Sequence, residues 1–229
     1  MSTGSVDMRQ LTRRAYLTMA TAVVVLGAVY FLAAGTLAYW QAWVYMGIVL
    51  VPMFFVMTYL LRNSPDLLAR RLQMRERERT QKGVIGFGII FLLGAFFLPG
   101  FDRRWGWSAI PWWVALAADV AVVLGYAMII RVFRENQYAS RTVQVEEGQQ
   151  VSSTGPYAVV RHPMYVGILV FYLASPIALG SWWALLPASA IIPILVVRIL
   201  NEELVLERDL PGYKEYKQKT RYRLLPGIW

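Results

Sequence analysis

Long apolar runs, separated by short polar segments, are the feature of this 229-residue chain that most restricts its fold. A helix that crosses a bilayer needs about 20 consecutive apolar residues. Hydrophobic residues make up 57% of the sequence and charged residues only 16%, which is too apolar for an ordinary soluble domain. We therefore predict an all-α, polytopic integral membrane protein with about six transmembrane helices. The predicted spans lie near residues 16–37, 44–61, 83–98, 114–132, 164–179 and 182–197.

The last two apolar runs differ from the others. Each is shorter than a straight span requires, and together they contain Pro176, Pro187 and Pro193. Prolines in a helix interior introduce kinks. The runs meet at Gly180-Ser181, so we predict a tight helical hairpin whose two ends return to one membrane surface.

Three polar features interrupt or flank the first four runs. The charged stretch 62–82 is predicted to form a short surface helix that starts at Ser64-Pro65. Residues 99–113 are predicted to be an aromatic connection. Asp119 lies inside the fourth run and is expected to face the bundle interior or to lie near the interface, because a carboxylate in lipid is costly; we assign it no chemistry.

Positive charge is distributed very unevenly between the predicted connections. The formal net charge is +9, and of the 23 Lys and Arg residues all but Arg103 and Arg104 fall on the side that holds both termini when there are six spans. Cytoplasmic connections of membrane proteins carry such an excess. The asymmetry therefore predicts cytoplasmic termini and a cytoplasmic loop over residues 133–162. The charge suits anionic headgroups, so membrane lipids rather than nucleic acid are the expected partners.

Cysteine and histidine content excludes several kinds of site. The chain has no cysteine and a single histidine. Disulfides, a thiolate nucleophile and a Cys or His metal cluster are therefore excluded within one chain. No dense group of carboxylates replaces them, so we expect no metal site.

The single histidine, His162, lies at the seam between the polar loop and the fifth apolar run. A residue that precedes proline is pushed out of the helical region, so His162 is expected to be extended, whereas Pro163 suits the first position of a helix. The N–H groups at such a helix start can bind a carboxylate or another anion. Arg161-His162 could therefore hold a small anionic group at the membrane surface. The alternative is an ordinary turn whose side chains only touch headgroups.

Arg198 and Glu202 follow the sixth run and are expected to continue its helix beyond the lipid. They are four residues apart and therefore share a helix face. The predicted hairpin brings Arg198 to the same side of the membrane as His162. The pair is either part of a site or a stabilising ion pair at a helix end.

Together these motifs resemble one family of membrane enzymes. Gly155-x-Tyr157, Arg161-His162-Pro163-x-Tyr165-x-Gly167, Arg198-x-x-x-Glu202 and a tail with Tyr213 and Tyr216 are similar to the isoprenylcysteine carboxyl methyltransferase family. The related phospholipid N-methyltransferases share this plan. The resemblance covers roughly residues 136–226. It implies a four-span N-terminal membrane region over residues 1–132 and a methyltransferase core over residues 133–229.

The resemblance implies a small cytoplasmic cofactor-binding part, with S-adenosyl-L-methionine as the cofactor and a lipid-like or prenylated acceptor. It implies that Arg198 binds the acceptor and that Arg198 and Glu202 are the catalytic residues. A carboxylate acceptor needs no general base, whereas a thiol or an amine does, and Glu202 is then the nearest candidate. The cofactor-binding residues that it implies are Gln144, Gln149, Gln150, Val151, Ser152, Tyr157, His162, Pro163, Met164, Tyr165 and Glu202.

Other functions remain compatible with the sequence. The acceptor can be a prenylated protein carboxylate, an isoprenoid thiol, a phospholipid amine or another small thiol. A sterol-reductase-like enzyme that uses NADPH would share the helical plan, although the chain has no Gly-x-Gly-x-x-Gly motif for a Rossmann site. A scaffold or lipid-binding protein without catalysis is the third hypothesis.

Overall fold

The computed structural model describes residues 7–63, 65–72, 79–136 and 148–229. All regular structure in these ranges is helical, which confirms the all-α class for the part of the chain described. Helix α1 continues through a π-helical segment, Ala28–Leu32, and a 3₁₀ turn, Gly155–Ala158, precedes α6. The helices are α1 Met8–Gly27, α2 Trp40–Asn63, α3 Pro65–Leu72, α4 Arg79–Trp105, α5 Trp112–Glu135, α6 Pro163–Ala178, α7 Leu185–Ser189, α8 Ile191–Asp209 and α9 Tyr213–Lys219.

Three of the described helical stretches are long and apolar enough to cross a membrane: Met8–Leu32, Trp40–Asn63 and Trp112–Glu135. Large side chains such as Phe55 and Leu124 are exposed on them, as expected of surfaces that face lipid. These features support the predicted integral membrane protein. Helix α6 is apolar but shorter, with 16 residues, so the count of six spans stays a prediction.

The prediction of an aromatic connection over residues 99–113 is wrong for the first half of this range. Helix α4 passes through Pro99 and ends only at Trp105. Pro99 is fully buried, and a Cβ on the next residue, Gly100, would lie 2.5 Å from the Cβ of Ala33. Membrane helices tolerate an internal proline when neighbouring elements pack around it, and this close packing outweighs the helix-breaking effect of Pro99.

A buried carboxylate fixes the end of α4. Asp102 accepts hydrogen bonds from the backbone N–H of Ser108 at 2.7 Å and from the Ser181 hydroxyl at 2.5 Å. The Ser108 hydroxyl in turn accepts from the N–H of Trp182 at 3.0 Å. This network joins the connection after α4 to the turn after α6.

The predicted hairpin of the last two apolar runs is present, with a break in its second arm. Gly180 forms the turn with a φ of +82°, a conformation that favours glycine. The second arm consists of short α7, which contains Pro187, followed by α8. Helix α8 then continues past Arg198 and Glu202, as predicted.

The charged stretch 62–82 contains a helix that begins at Pro65, directly after Ser64, as predicted. Its buried Leu68 packs with Leu11 of α1 and Met57 of α2. The stretch is not one surface helix, because its last residues belong to α4; residues 73–78 lie outside the described residues.

Helices α5 and α6 approach each other at two glycines. A Cβ on Gly125 would lie 2.8 Å from the carbonyl oxygen of Gly167, and a Cβ on Gly167 would lie 2.7 Å from that of Gly125. The absence of side chains therefore permits this backbone contact. Asp119, two turns before Gly125 on α5, is 3% exposed and faces the bundle interior, as predicted. The contact between Gly125 and Gly167 fixes the position of the start of α6 along the axis of α5.

Candidate active site

His162 precedes the start of α6 with φ −123° and ψ 59°, outside the helical region, and Pro163 is the first helical residue. The helix start at Pro163 confirms the prediction. His162 is outside the helical region but is not extended as expected, because its carbonyl already accepts from the N–H groups of Tyr165 and Val166. Among the described residues, no side chain caps this helix start. The Met164 side chain packs against an apolar cluster that includes Leu195 and Ile199 of α8. Met164 can therefore offer a ligand its backbone more readily than its side chain.

Glu203 of α8 holds together the charged groups around His162. One carboxylate oxygen accepts from Arg161 Nε at 2.7 Å and contacts His162 Nε2 at 3.2 Å. The other accepts from Arg223 Nε at 3.0 Å. Arg161, His162 and Glu203 are all buried. Buried charges need such partners, so this cluster orients the His162 ring.

The protonation of this cluster follows from the charge on Glu203. Burial by itself raises the pKa of the Glu203 carboxyl, but hydrogen bonds from His162 and Arg161 and the charge of Arg161 outweigh it and lower the pKa to about 2. An ionised carboxylate only accepts hydrogen bonds. His162 Nε2 therefore carries a hydrogen, and Nδ1 is the remaining ring nitrogen for a ligand.

The C-terminal tail pairs with the segment that carries His162. The backbone N–H of Arg161 donates to the carbonyl of Tyr222 at 2.9 Å, and that of His162 donates to Arg223 at 3.0 Å. Arg161 Nη1 also donates to the carbonyl of Thr220 at 2.9 Å. Loop, tail and α8 thus form one hydrogen-bonded unit.

Tyr165 links the two residues predicted to be catalytic. Its hydroxyl accepts from Arg198 Nε at 2.8 Å and donates to Glu202 at 2.5 Å. Its ring stacks on the imidazole of His162, with centroids 5.7 Å apart and planes at 23°. The structure therefore brings Arg198, Glu202 and His162 together through one buried tyrosine.

A turn precedes Tyr157 and is held by the end of α5. Gly155 has a φ of +56°, and a Cβ there would lie 2.9 Å from the Glu135 carboxylate. The Thr154 hydroxyl donates to that carboxylate. Asn136 Nδ2 donates to the Tyr157 hydroxyl at 3.1 Å. These contacts fix the position of the Tyr157 ring.

Residues 149–153, directly before this turn, form no regular structure. Val151 packs in the apolar cluster that contains Tyr157. Gln149 and Ser152 are half-buried, whereas Gln150 is exposed. Gln144, the remaining predicted cofactor-binding residue of the loop, lies outside the described residues.

Sequence reasoning missed Glu203 as a site residue. Adjacent residues on a helix point about 100° apart. Glu202 and Glu203 therefore cannot contact the same neighbours, and this was the only local signal for Glu203. Arg161 and His162 in an apolar setting require an acidic partner. That requirement, combined with the predicted hairpin, indicated an acidic residue just after the sixth apolar run, but it did not distinguish Glu203 from Glu202.

Comparison with known proteins gives a match to a family model and a match to the fold of a solved structure. The family model described as Phospholipid methyltransferase matches residues 113–210. A search of curated proteins found no match. The chain is similar to a solved structure of the eukaryotic intramembrane Ras methyltransferase, isoprenylcysteine carboxyl methyltransferase, with a TM-score of 0.55 and 18% identity, covering 89% of this chain and 74% of that one. The chain thus has a fold similar to that of isoprenylcysteine carboxyl methyltransferase and a segment that matches the phospholipid methyltransferases, which confirms the resemblance drawn from its motifs.

Proposed function

We propose that this chain is an integral membrane methyltransferase that uses S-adenosyl-L-methionine and acts on a lipid-like or prenylated acceptor. The observation that carries the proposal is the contact of Arg198 and Glu202 with the Tyr165 hydroxyl, beside His162. These residues come from α6 and α8 and meet where the membrane hairpin ends. The match to phospholipid methyltransferases and the shared fold support the same function.

The residues present fit this methyl donor. When bound, the donor supplies an electrophilic methyl group on a cationic sulfonium. At the start of α6, Pro163 has no N–H, and the N–H groups of Tyr165 and Val166 donate to the His162 carbonyl. The N–H of Met164 can bind the donor's carboxylate, since a helix start attracts anions. The Tyr157 ring can stack on the adenine or face the sulfonium. The Glu202 carboxylate supplies a negative charge on the same side of the site.

Arg198 suits the acceptor side of the site. Its guanidinium contacts the Tyr165 hydroxyl through Nε, and a guanidinium is well shaped for a carboxylate. Val197, Leu200 and Leu204 are exposed on the same helix. An acceptor with an acyl or prenyl tail could lie along such a surface while Arg198 orients its polar end. Methyl transfer then depends mainly on alignment and electrostatics.

A phospholipid amine is the second candidate acceptor, and the match to the phospholipid methyltransferase model favours it. An amine must lose a proton to be methylated. Glu202 is the carboxylate beside Arg198 in the site and would act as the general base. Arg198 would then bind the lipid phosphate. The two acceptors give chemically different products, a methyl ester and an N-methyl amine.

The proposal is tested by incubating the purified protein with isotope-labelled donor and membrane lipid extract, or with a prenylcysteine peptide, and identifying the product by mass spectrometry. Arg198→Ala and Glu202→Gln should each lower transfer at least roughly a hundredfold, about 2.7 kcal/mol of barrier. Donor affinity should fall more for Glu202→Gln, because Glu202 lies on the proposed donor side.

Arg208→Ala is the matched control, since Arg208 lies on the same helix but is 73% exposed at its side chain and pairs with Asp209. It should leave transfer unchanged. Near-normal transfer in both site variants would mean that Arg198 and Glu202 are structural. Reduction of a sterol by NADPH in the absence of the methyl donor would instead favour the reductase hypothesis.

A further inference from the structure

Tyr213, the first residue of α9, is buried between the loop and tail that form the candidate site. It is 4% exposed. Its ring lies 5.8 Å from that of Tyr216, centroid to centroid. Val151 and Tyr157, both predicted from the sequence to bind the cofactor, pack against the same cluster.

The Tyr213 hydroxyl has no hydrogen-bond partner among the described residues. Its neighbour differs, because the Tyr216 hydroxyl donates to the carbonyl of Tyr157 at 2.8 Å. A buried hydroxyl without a partner costs free energy, so native proteins seldom keep one. Among the described residues, the other buried side-chain oxygens without a hydrogen-bond partner belong to Tyr30, Gln41 and Asp119 in the membrane helices.

The Tyr213 hydroxyl interacts electrostatically with charged groups of the site. Burial raises the pKa of the Tyr213 phenol, and the nearby charge of Glu203 raises it further, while Arg161 lowers it and Glu202 raises it again. The hydroxyl therefore keeps its proton at neutral pH and can both donate and accept a hydrogen bond. It lies within the electrostatic reach of Glu202 and Glu203 of α8.

We infer that the Tyr213 hydroxyl forms a hydrogen bond with the bound methyl donor and is a binding residue of the donor pocket in addition to those predicted from the sequence. This inference rests on the proposed donor-dependent function. It explains why a buried phenol beside Val151 and Tyr157 has no partner among the described residues. The ligand, when bound, would form the hydrogen bond that these residues do not supply.

The test compares Tyr213→Phe with Tyr216→Phe in two measurements on detergent-purified protein: the thermal midpoint without ligand, and the affinity for S-adenosylhomocysteine by calorimetry. Removing an orphaned hydroxyl removes a cost, so Tyr213→Phe should keep or raise the midpoint. It should weaken binding about three- to tenfold, as expected for one neutral hydrogen bond. Tyr216→Phe should lower the midpoint, because it removes a hydrogen bond made within the protein.

The results distinguish a failure of the proposed function from a failure of the inference about Tyr213. If wild-type protein does not bind S-adenosylhomocysteine, the proposed function fails and this inference fails with it. If wild-type protein binds and Tyr213→Phe binds within twofold, the inference alone is wrong. A midpoint lowered by Tyr213→Phe as much as by Tyr216→Phe would also overturn it, since the hydroxyl would then have a partner in the protein.

Discussion

At the scale of single residues, Tyr165 connects the two sides of the candidate site. Its hydroxyl contacts Arg198 and Glu202, and its ring stacks on His162. Tyr165→Phe keeps the ring and removes both hydrogen bonds. Hydrogen bonds to charged groups contribute about 1.5–3 kcal/mol, so methyl transfer should fall roughly tenfold or more.

The measurement for Tyr165→Phe is steady-state methyl transfer together with the thermal midpoint. Transfer should fall far more than stability, because the ring still packs in its cluster. Tyr59→Phe, at an exposed position on α2, is the control and should change neither. Unchanged transfer in Tyr165→Phe would mean that its hydroxyl does not orient Arg198 and Glu202.

Glu203 is the residue on which the charged cluster depends. Glu203→Gln leaves the buried Arg161 charge without its counter-ion, and breaking a buried pair costs about 3–5 kcal/mol. At about 2–4 °C per kcal/mol for a chain of this size, the thermal midpoint should fall by roughly 10 °C. Glu207 lies on the same helix as Glu203 and forms a partly exposed pair with Lys217 of α9. Glu207→Gln should therefore cost only about 0–1 kcal/mol.

The stabilisation by Glu203 should also depend on pH in a defined direction. Folding lowers the pKa of Glu203 from 4.5 to about 2, so the unfolded chain binds more protons between these values. The stabilisation is therefore fully present above pH 4.5 and is lost as pH falls toward 2. The midpoint difference between wild type and Glu203→Gln should shrink from pH 6 to pH 3; a constant difference would contradict the assignment.

Residues with local signals were predictable from the sequence, whereas those that depend on the fold were not. His162 and Pro163 were predicted correctly as a helix start, since the steric effect of proline acts on adjacent residues. The roles of Glu203 and Tyr213 depend on contacts with residues 40–60 positions away in the chain. Such contacts follow from the packing of α8 and the tail against the loop, which no local pattern specifies.

At the scale of helices, the apolar runs predicted the elements but not all of their ends. The helical hairpin and the extension of α8 follow from the sequence pattern. The end of α4 does not, because Pro99 normally indicates a helix boundary, while close packing at Gly100 and the network around Asp102 extend the helix. Tertiary contacts decided that boundary.

The contact between α5 and α6 yields a prediction at this scale. Gly125→Ala and Gly167→Ala each introduce a Cβ within 3.0 Å of the facing backbone, and overpacking typically costs about 1–3 kcal/mol. Both variants should lower the thermal midpoint and methyl transfer together, because the start of α6 shifts relative to α5. Gly47→Ala on α2 has no atom within 4 Å of the new Cβ, so it should be neutral or stabilising. Equal midpoints for all three variants would show that the glycine contact is not tightly packed.

At the scale of the whole molecule, the charge asymmetry predicts that both termini and the candidate site face the cytoplasm. The chain has no native cysteine, so single substitutions report sidedness cleanly. Gln150→Cys in the loop should be shielded from an impermeant thiol reagent in sealed cells, whereas Ala109→Cys in the opposite connection should react. Both positions are exposed. Labelling of the Gln150 variant from outside would reverse the topology.

The central claim is that loop, hairpin and tail together form a binding site for a methyl donor, and donor binding tests it most directly. Calorimetry of the detergent-purified protein with S-adenosylhomocysteine should give a micromolar-scale affinity, on the order of 8 kcal/mol. His162→Ala should weaken it at least about tenfold, whereas the exposed Arg208→Ala control should not. Folded wild-type protein that binds no S-adenosylhomocysteine would contradict the account.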